Sequence, residues 1–119
     1  MIKGIGVDIV GINRFKEIKN DPGFIEQILT QNEISEIPGN SQSEVYIATV
    51  FAFKEAIMKA LGCGLNHGSY WHDIVVAHDW IIHLTGFFKK LADEKSILKI
   101  HSSHSKTKNY VTALVLLEG

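Results

Sequence analysis

The sequence predicts an α+β fold, a mostly antiparallel sheet packed on one long buried helix, in a single domain over residues 1–119. Three observations carry this. Residues 44–64 hold no proline and are apolar almost all round, through Val45, Ile47, Phe51, Phe53, Ile57, Met58 and Leu61. A helix of that pattern is buried rather than laid on a surface. Runs with strand character recur at residues 2–12, 73–77, 80–84, 97–102 and 110–117. The elements are segregated in order (strand, short helices, long helix, hairpin, helix, hairpin), which suits an α+β architecture.

In residues 2–12, Ile5, Val7 and Ile9 point to one side and Gly4, Gly6, Asp8 and Val10 to the other. The two glycines bring no side chain, so another element can approach closely. Asn13 is placed to cap a short helix at 14–19, which carries Arg14, Lys16 and Lys19 against Glu17. Asn20-Asp21-Pro22-Gly23 reads as a turn, and residues 24–29 as a second short helix. Thr30 and Glu33 form a T-x-x-E capping box that starts a third. After a loop at 38–41, Ser41 or Ser43 caps the long helix, whose end Gly62 and Gly64 mark. Beyond a loop at 65–72, strands 73–77 and 80–84 join through a tight His78-Asp79 turn. Thr85 or Gly86 introduces an amphipathic helix at 87–93. Residues 97–102 and 110–117 make a final hairpin whose polar, basic loop, 103–109, contains His104.

Composition narrows the function. With 119 residues and 45% hydrophobic content, the chain can build a real core. A net charge of −1 gives no global basic field for nucleic acid. The one cysteine, Cys63, excludes a disulfide framework and a CxxC metal site, and fits a reducing compartment. The N-terminus has no signal-peptide pattern, and no apolar run approaches the roughly 20 residues that cross a bilayer. The expectation is a cytoplasmic protein with neither membrane nor nucleic acid as partner.

Asp8 stands within an apolar strand, where Asp is disfavoured. It either satisfies a backbone amide or belongs to a site. Glu55 and Lys59 are four residues apart and share a helix face with Ala48 and Ala52, which leave room beside the carboxylate. They are either a plain i,i+4 ion pair or part of a site. Two carboxylates from separate elements suit Mg²⁺, which keeps several waters and completes its shell with substrate phosphates. A nearby lysine suits a phosphate oxygen. Gly62 lets a phosphate come close. Gly-rich loops of the P-loop or Rossmann type are absent. The residues alone thus point to a metal-assisted phosphate site. The histidines at 67, 72, 78, 83 and 101 have no metal-ligand spacing and read as surface or packing residues.

GVDIV (6–10), FAFKEAIMKALGCG (51–64), WHDIV (71–75) and SSHSKTKNYVTALVLLE (102–118) resemble the holo-acyl-carrier-protein synthases, small 4′-phosphopantetheinyl transferases. The resemblance covers nearly the whole chain in order and spacing. It implies that Asp8 and Glu55 hold Mg²⁺ and act in catalysis with Lys59. It further implies that Lys59, Gly62 and His104 meet coenzyme A, His104 toward the nucleotide end, and that Arg14 meets an acidic acyl carrier protein. The implied reaction moves the phosphopantetheine arm of coenzyme A to a carrier serine and releases 3′,5′-ADP. The implied assembly is a homotrimer with sites between subunits.

Some positions depart from the family pattern. Val50 stands where an Arg is usual, and His78-Asp79-Trp80 where a Gly-Lys-Pro segment is usual. Gln27 replaces a second carrier-facing Arg, Gly11 an acidic residue, and NSQSEVYIAT (40–49) carries no Lys or Arg for a 3′-phosphate. The metal residues are kept while nucleotide and carrier contacts are thinned. The alternative is therefore a non-catalytic or weakly active paralogue that binds coenzyme A or a carrier protein.

Overall fold

The computed structural model describes residues 1–63 and 70–119. Gly64, His67 and most of the expected 65–72 loop lie outside the described residues. Strand β1 (Ile2–Gly11) leads through a 3-10 turn (Ile12–Arg14) into three short helices, α1 (Phe15–Ile18), α2 (Pro22–Ile28) and α3 (Gln31–Ser35). The long helix α4 (Ser43–Ala60) follows, then β2 (Ile74–Val76), β3 (Ile82–Leu84), α5 (Gly86–Glu94), β4 (Lys99–Lys106) and β5 (Tyr110–Glu118). The strands form two antiparallel sheets: β1-β5-β4, on which α4 lies, and the small pair β2-β3. The α+β expectation holds, with two sheets instead of one.

Helix α4 is buried because nearly all its faces meet other elements. Ile47, Val50, Ala52, Phe53, Ala56, Ile57 and Met58 are all at most 2% exposed. It approaches β1 closely, as the glycines suggest. A Cβ on Gly4 would run into the Ala60 carbonyl, and one on Gly6 into the Ala56 carbonyl. The helix ends in a Schellman turn. Gly62 takes φ 74°, its N–H donates to Lys59 O (3.1 Å), and Cys63 N–H donates to Met58 O (2.8 Å). Neither Ser41 nor Ser43 caps the start. Gln42 is the cap, without a side-chain cap bond, and its own N–H donates to Asn40 Oδ1 (2.8 Å).

Local signals were met or shifted for identifiable reasons. The capping box is complete: Glu33 N–H donates to Thr30 Oγ1 (3.2 Å), and Thr30 N–H to Glu33 Oε1 (2.9 Å). Asn13 lies inside the 3-10 turn and caps nothing, so α1 begins one residue later than expected. The turn expected at 20–23 becomes the start of α2, since Asp21 caps Phe24 N–H (3.2 Å) and Pro22 takes the first helical position. Helix α5 is capped from afar: Phe87 N–H donates to Asp73 Oδ2 (2.9 Å). The final hairpin is longer than its composition suggests. Residues 103–106 pair with 111–114, which leaves only 107–109 as the turn and places His104 in strand β4, not in a loop. Ladder pairing outweighs the polar sequence there. Trp80 is not in a strand either. It occupies the turn before β3 with φ 66°.

Candidate active site

The inner face of β1 carries Asp8, and α4 brings Glu55 and Lys59 to the same flank. Asp8 is drawn in: its side chain is 12% exposed and accepts from Lys59 Nζ (2.8 Å), which also donates to Val7 O (3.1 Å). Lys59 therefore pairs with Asp8, not with Glu55 as a plain i,i+4 pair would require. Glu55 is half-buried and makes no hydrogen bond or ion pair among the described residues. Burial raises its pKa, and the Asp8 charge raises it further, while Lys59 and Arg14 pull the other way. Arg14 thus lies close enough to act on this carboxylate. Its guanidinium sits over the rings of Phe51 (5.2 Å) and Phe15 (5.6 Å).

Two crowded carboxylates, one of them unpartnered, fit a hard cation between them. Among the described residues no group of three or more His, Cys, Asp or Glu side chains could enclose a metal. The donor set therefore matches an ion that takes the rest of its shell from water and phosphate, as Mg²⁺ does. At Gly62, at the end of α4, an added Cβ would meet nothing within 4 Å among the described residues.

His104 stands on the other flank of α4. Asp8 and His104 are both paired with Ala113 in the sheet, one on each side, and α4 runs over the strand between them. Phe53, which meets His104 at 5.3 Å, is two residues from Glu55 and hence about 160° away around the helix. The structure thus brings Asp8, Glu55, Lys59 and Arg14 together and keeps His104 apart from them. Phe53 and Trp80 (at 5.0 Å) partly bury the ring of His104, although the residue as a whole stays exposed. That burial lowers its pKa, and the charge of Lys106 lowers it further.

Sequence reasoning missed the buried ion pair beside the site. Lys54 and Glu33 are 0% and 1% exposed, and Lys54 Nζ donates to Glu33 Oε1 (2.6 Å), Ile28 O (2.7 Å) and Trp71 O (3.3 Å). Glu33 Oε2 accepts from Val76 N–H (2.7 Å). The pair ties α2, α3, β2 and α4 together, one residue before Glu55. Burial lowers the pKa of Lys54, opposed by the Glu33 charge. The available signal was a lysine inside an otherwise apolar helix, since a buried charge needs a partner.

Comparisons with known proteins identify the family and the fold. Residues 4–115 match the model of the 4′-phosphopantetheinyl transferase superfamily. The holo-[acyl-carrier-protein] synthase of Vibrio cholerae is 36% identical over 124 aligned positions, covering 99% of this chain and 98% of that one. The crystal structure of the same enzyme from Neisseria meningitidis superposes with a TM-score of 0.87 at 31% identity, over 100% of both chains. That from Bacillus anthracis, solved in complex with CoA (3′,5′-ADP), gives 0.77 at 31% identity, over 98% of this chain and 96% of that one. The chain belongs to the 4′-phosphopantetheinyl transferase superfamily.

Proposed function

We propose that this protein is a Mg²⁺-dependent holo-acyl-carrier-protein synthase. It transfers the 4′-phosphopantetheine arm of coenzyme A to a serine of an acyl carrier protein. The observation that carries the reading is the Asp8–Glu55–Lys59–Arg14 cluster, in a chain matched over 99% of its length by a holo-[acyl-carrier-protein] synthase.

Asp8 and Glu55 would hold Mg²⁺, which when bound neutralises pyrophosphate charge and polarises the phosphoryl group. The carrier serine oxygen forms a bond to the β-phosphorus, the bond from that phosphorus to the bridging oxygen breaks, and 3′,5′-ADP leaves. A carboxylate of the pair, Asp8 or Glu55, directly or through a water on the metal, takes the serine proton. Lys59, whose side chain is 52% exposed, can turn its ammonium from Asp8 to the leaving phosphate. Gly62 leaves room for that group, and His104 meets the nucleotide end. Arg14, exposed beside Glu55, faces the acidic carrier. The separation of His104 from Glu55 across α4 supports a homotrimer in which one subunit supplies the metal half of a site and its neighbour the nucleotide half. No helix among the described residues is long and apolar enough to cross a membrane, in keeping with a cytoplasmic enzyme.

A second reading, a paralogue that binds without turnover, is favoured by residues 40–49, which carry no Lys or Arg. Mass spectrometry of several carrier proteins, incubated with enzyme, coenzyme A and Mg²⁺, separates the two. A gain of one phosphopantetheine, lost in excess chelator, is expected. Coenzyme A binding without any gain on every carrier would select the second reading, and full transfer in chelator would remove the metal role.

A further inference from the structure

Two non-glycine residues among the described ones have left-handed backbone, Trp80 at φ 66° and Ser96 at φ 58°. A bulky aromatic in that region persists only where its surroundings over-determine it. The turn supplies part of the constraint: Trp80 N–H donates to Ala77 O (2.8 Å), and Ala77 N–H to Ile81 O (2.9 Å). The ring supplies the rest. It lies 5.7 Å from Tyr46, 6.1 Å from Phe53 and 5.0 Å from His104.

His104 makes no hydrogen bond among the described residues. The residue is exposed, and its imidazole is flanked by two rings, Phe53 edge-on at 74° and Trp80 tilted at 49°. Phe53 is 1% exposed and fixed inside the core, whereas Trp80 is set by its turn. Lys106, two residues along β4, shares the face of His104, because side chains alternate along a strand. The face that Trp80 shapes therefore pairs an imidazole with a cation and suits an anionic group.

We propose that Trp80 is a positioning residue of the coenzyme A site: held in its left-handed turn, its indole clamps His104 against Phe53 and fixes the imidazole in one orientation toward the nucleotide end. This rests on the coenzyme A role given to His104 above. Trp80 acts through His104, so its effect depends on that side chain.

A double-mutant cycle tests it. Wild type, W80G, H104A and W80G/H104A are compared by KM for coenzyme A, KM for carrier protein, kcat and thermal unfolding. Glycine accepts the left-handed backbone, so W80G removes the ring and the strain together. W80L, which fills part of the same space without an aromatic face, replaces it should W80G fail to fold. W80G is expected to raise KM for coenzyme A several-fold, with a smaller change in kcat and in KM for carrier. W80F should recover most of the loss. In the H104A background, W80G should add less than about two-fold, since residues acting as one unit are not additive. Multiplying effects of W80G and H104A would overturn the proposal and leave the His104 assignment standing. Parallel losses in both KM values, kcat and melting temperature would also overturn it, as a general structural role. A silent H104A would remove the His104 assignment and the proposal together.

Discussion

Glu55 is half-buried beside the Asp8 carboxylate, and both burial and that neighbour disfavour its charge. Burial and the charge of Asp8 raise its pKa above 4.5, so the folded protein binds this proton more tightly than the unfolded chain does. The contribution of the group to stability is therefore greatest below pH 4.5 and is lost as pH rises through the raised value. Glu55→Gln removes that loss while keeping size and helix propensity. In chelator, the melting temperatures of wild type and Glu55→Gln should converge below pH 4.5 and separate toward neutral pH, with the variant higher. A gap that does not change with pH would assign the difference to packing. With Mg²⁺ and coenzyme A added, wild type should gain stability and the variant little, because a ligand stabilises only through its affinity for the folded state. Transfer should fall by orders of magnitude, since metal charge neutralisation is worth several kcal/mol in the transition state. An equal ligand-induced shift in both proteins would end the metal assignment. Arg14 allows a parallel check. Arg14→Glu should raise the carrier KM most at low salt, where charge steering is least screened; an unchanged carrier KM at low ionic strength would rule the contact out.

The contact of α4 with β1 is made by backbone, and it fixes the distance between Asp8 and Glu55. Gly6→Ala would drive a methyl group into the Ala56 carbonyl, against atoms that cannot yield without moving the helix. It should destabilise by about 3 kcal/mol or more. Gly39→Ala, with nothing within 4 Å among the described residues, should change stability by less than about 1 kcal/mol. Chemical denaturation of the two variants tests the difference, and a tolerated Gly6→Ala would show that the sheet can slide away from the helix. This approach was legible in the sequence, because alternation in a strand put both glycines and Asp8 on one face. The capping box was legible too, being contained within four residues. The partnerships that escaped were long-range. Glu33 looks satisfied by Thr30, yet it also holds Lys54, 21 residues on, and Val76, 43 residues on. Asp73 caps a helix that starts beyond Thr85. The polar Ser103, Ser105 and Lys106 suggest a loop around His104, while the strand that pairs with them decides their backbone. Local pattern reports local hydrogen bonds; the tertiary ladder that places His104 across α4 from Glu55 leaves no local mark.

At the scale of the whole chain, the three-stranded sheet has an inner face on α4 and an outer face that is apolar and open along β1 and β5. Ile5, Val7, Ile9, Tyr110 and Leu114 are 44–65% exposed. Val7 and Leu114 are directly opposed across the β1-β5 ladder, so these side chains form a patch and not scattered points. A contiguous apolar patch usually marks an interface, and a second copy of the chain is the occupant that the proposed trimer supplies. Val7→Glu should therefore give monomer mass in light scattering and abolish transfer, although Asp8 and Glu55 are untouched; a fully active monomer would contradict the assembly. A stronger test uses the division of the site itself. Glu55→Gln should inactivate the metal half and His104→Ala weaken the nucleotide half, on opposite flanks of α4. If each site joins one flank to the opposite flank of a neighbour, mixed trimers contain sites built from two intact halves. Random assembly of equal amounts should make about one quarter of all sites wild-type in composition. The mixed trimers are formed by unfolding and refolding the two variants together, and transfer is compared with that of each variant refolded alone. Recovery toward that fraction, rising from near zero in Glu55→Gln and from a raised coenzyme A KM in His104→Ala, is the expected result. Activity equal to the average of the separate variants would mean that every site draws both flanks from one chain, and the subunit-bridging arrangement would fall.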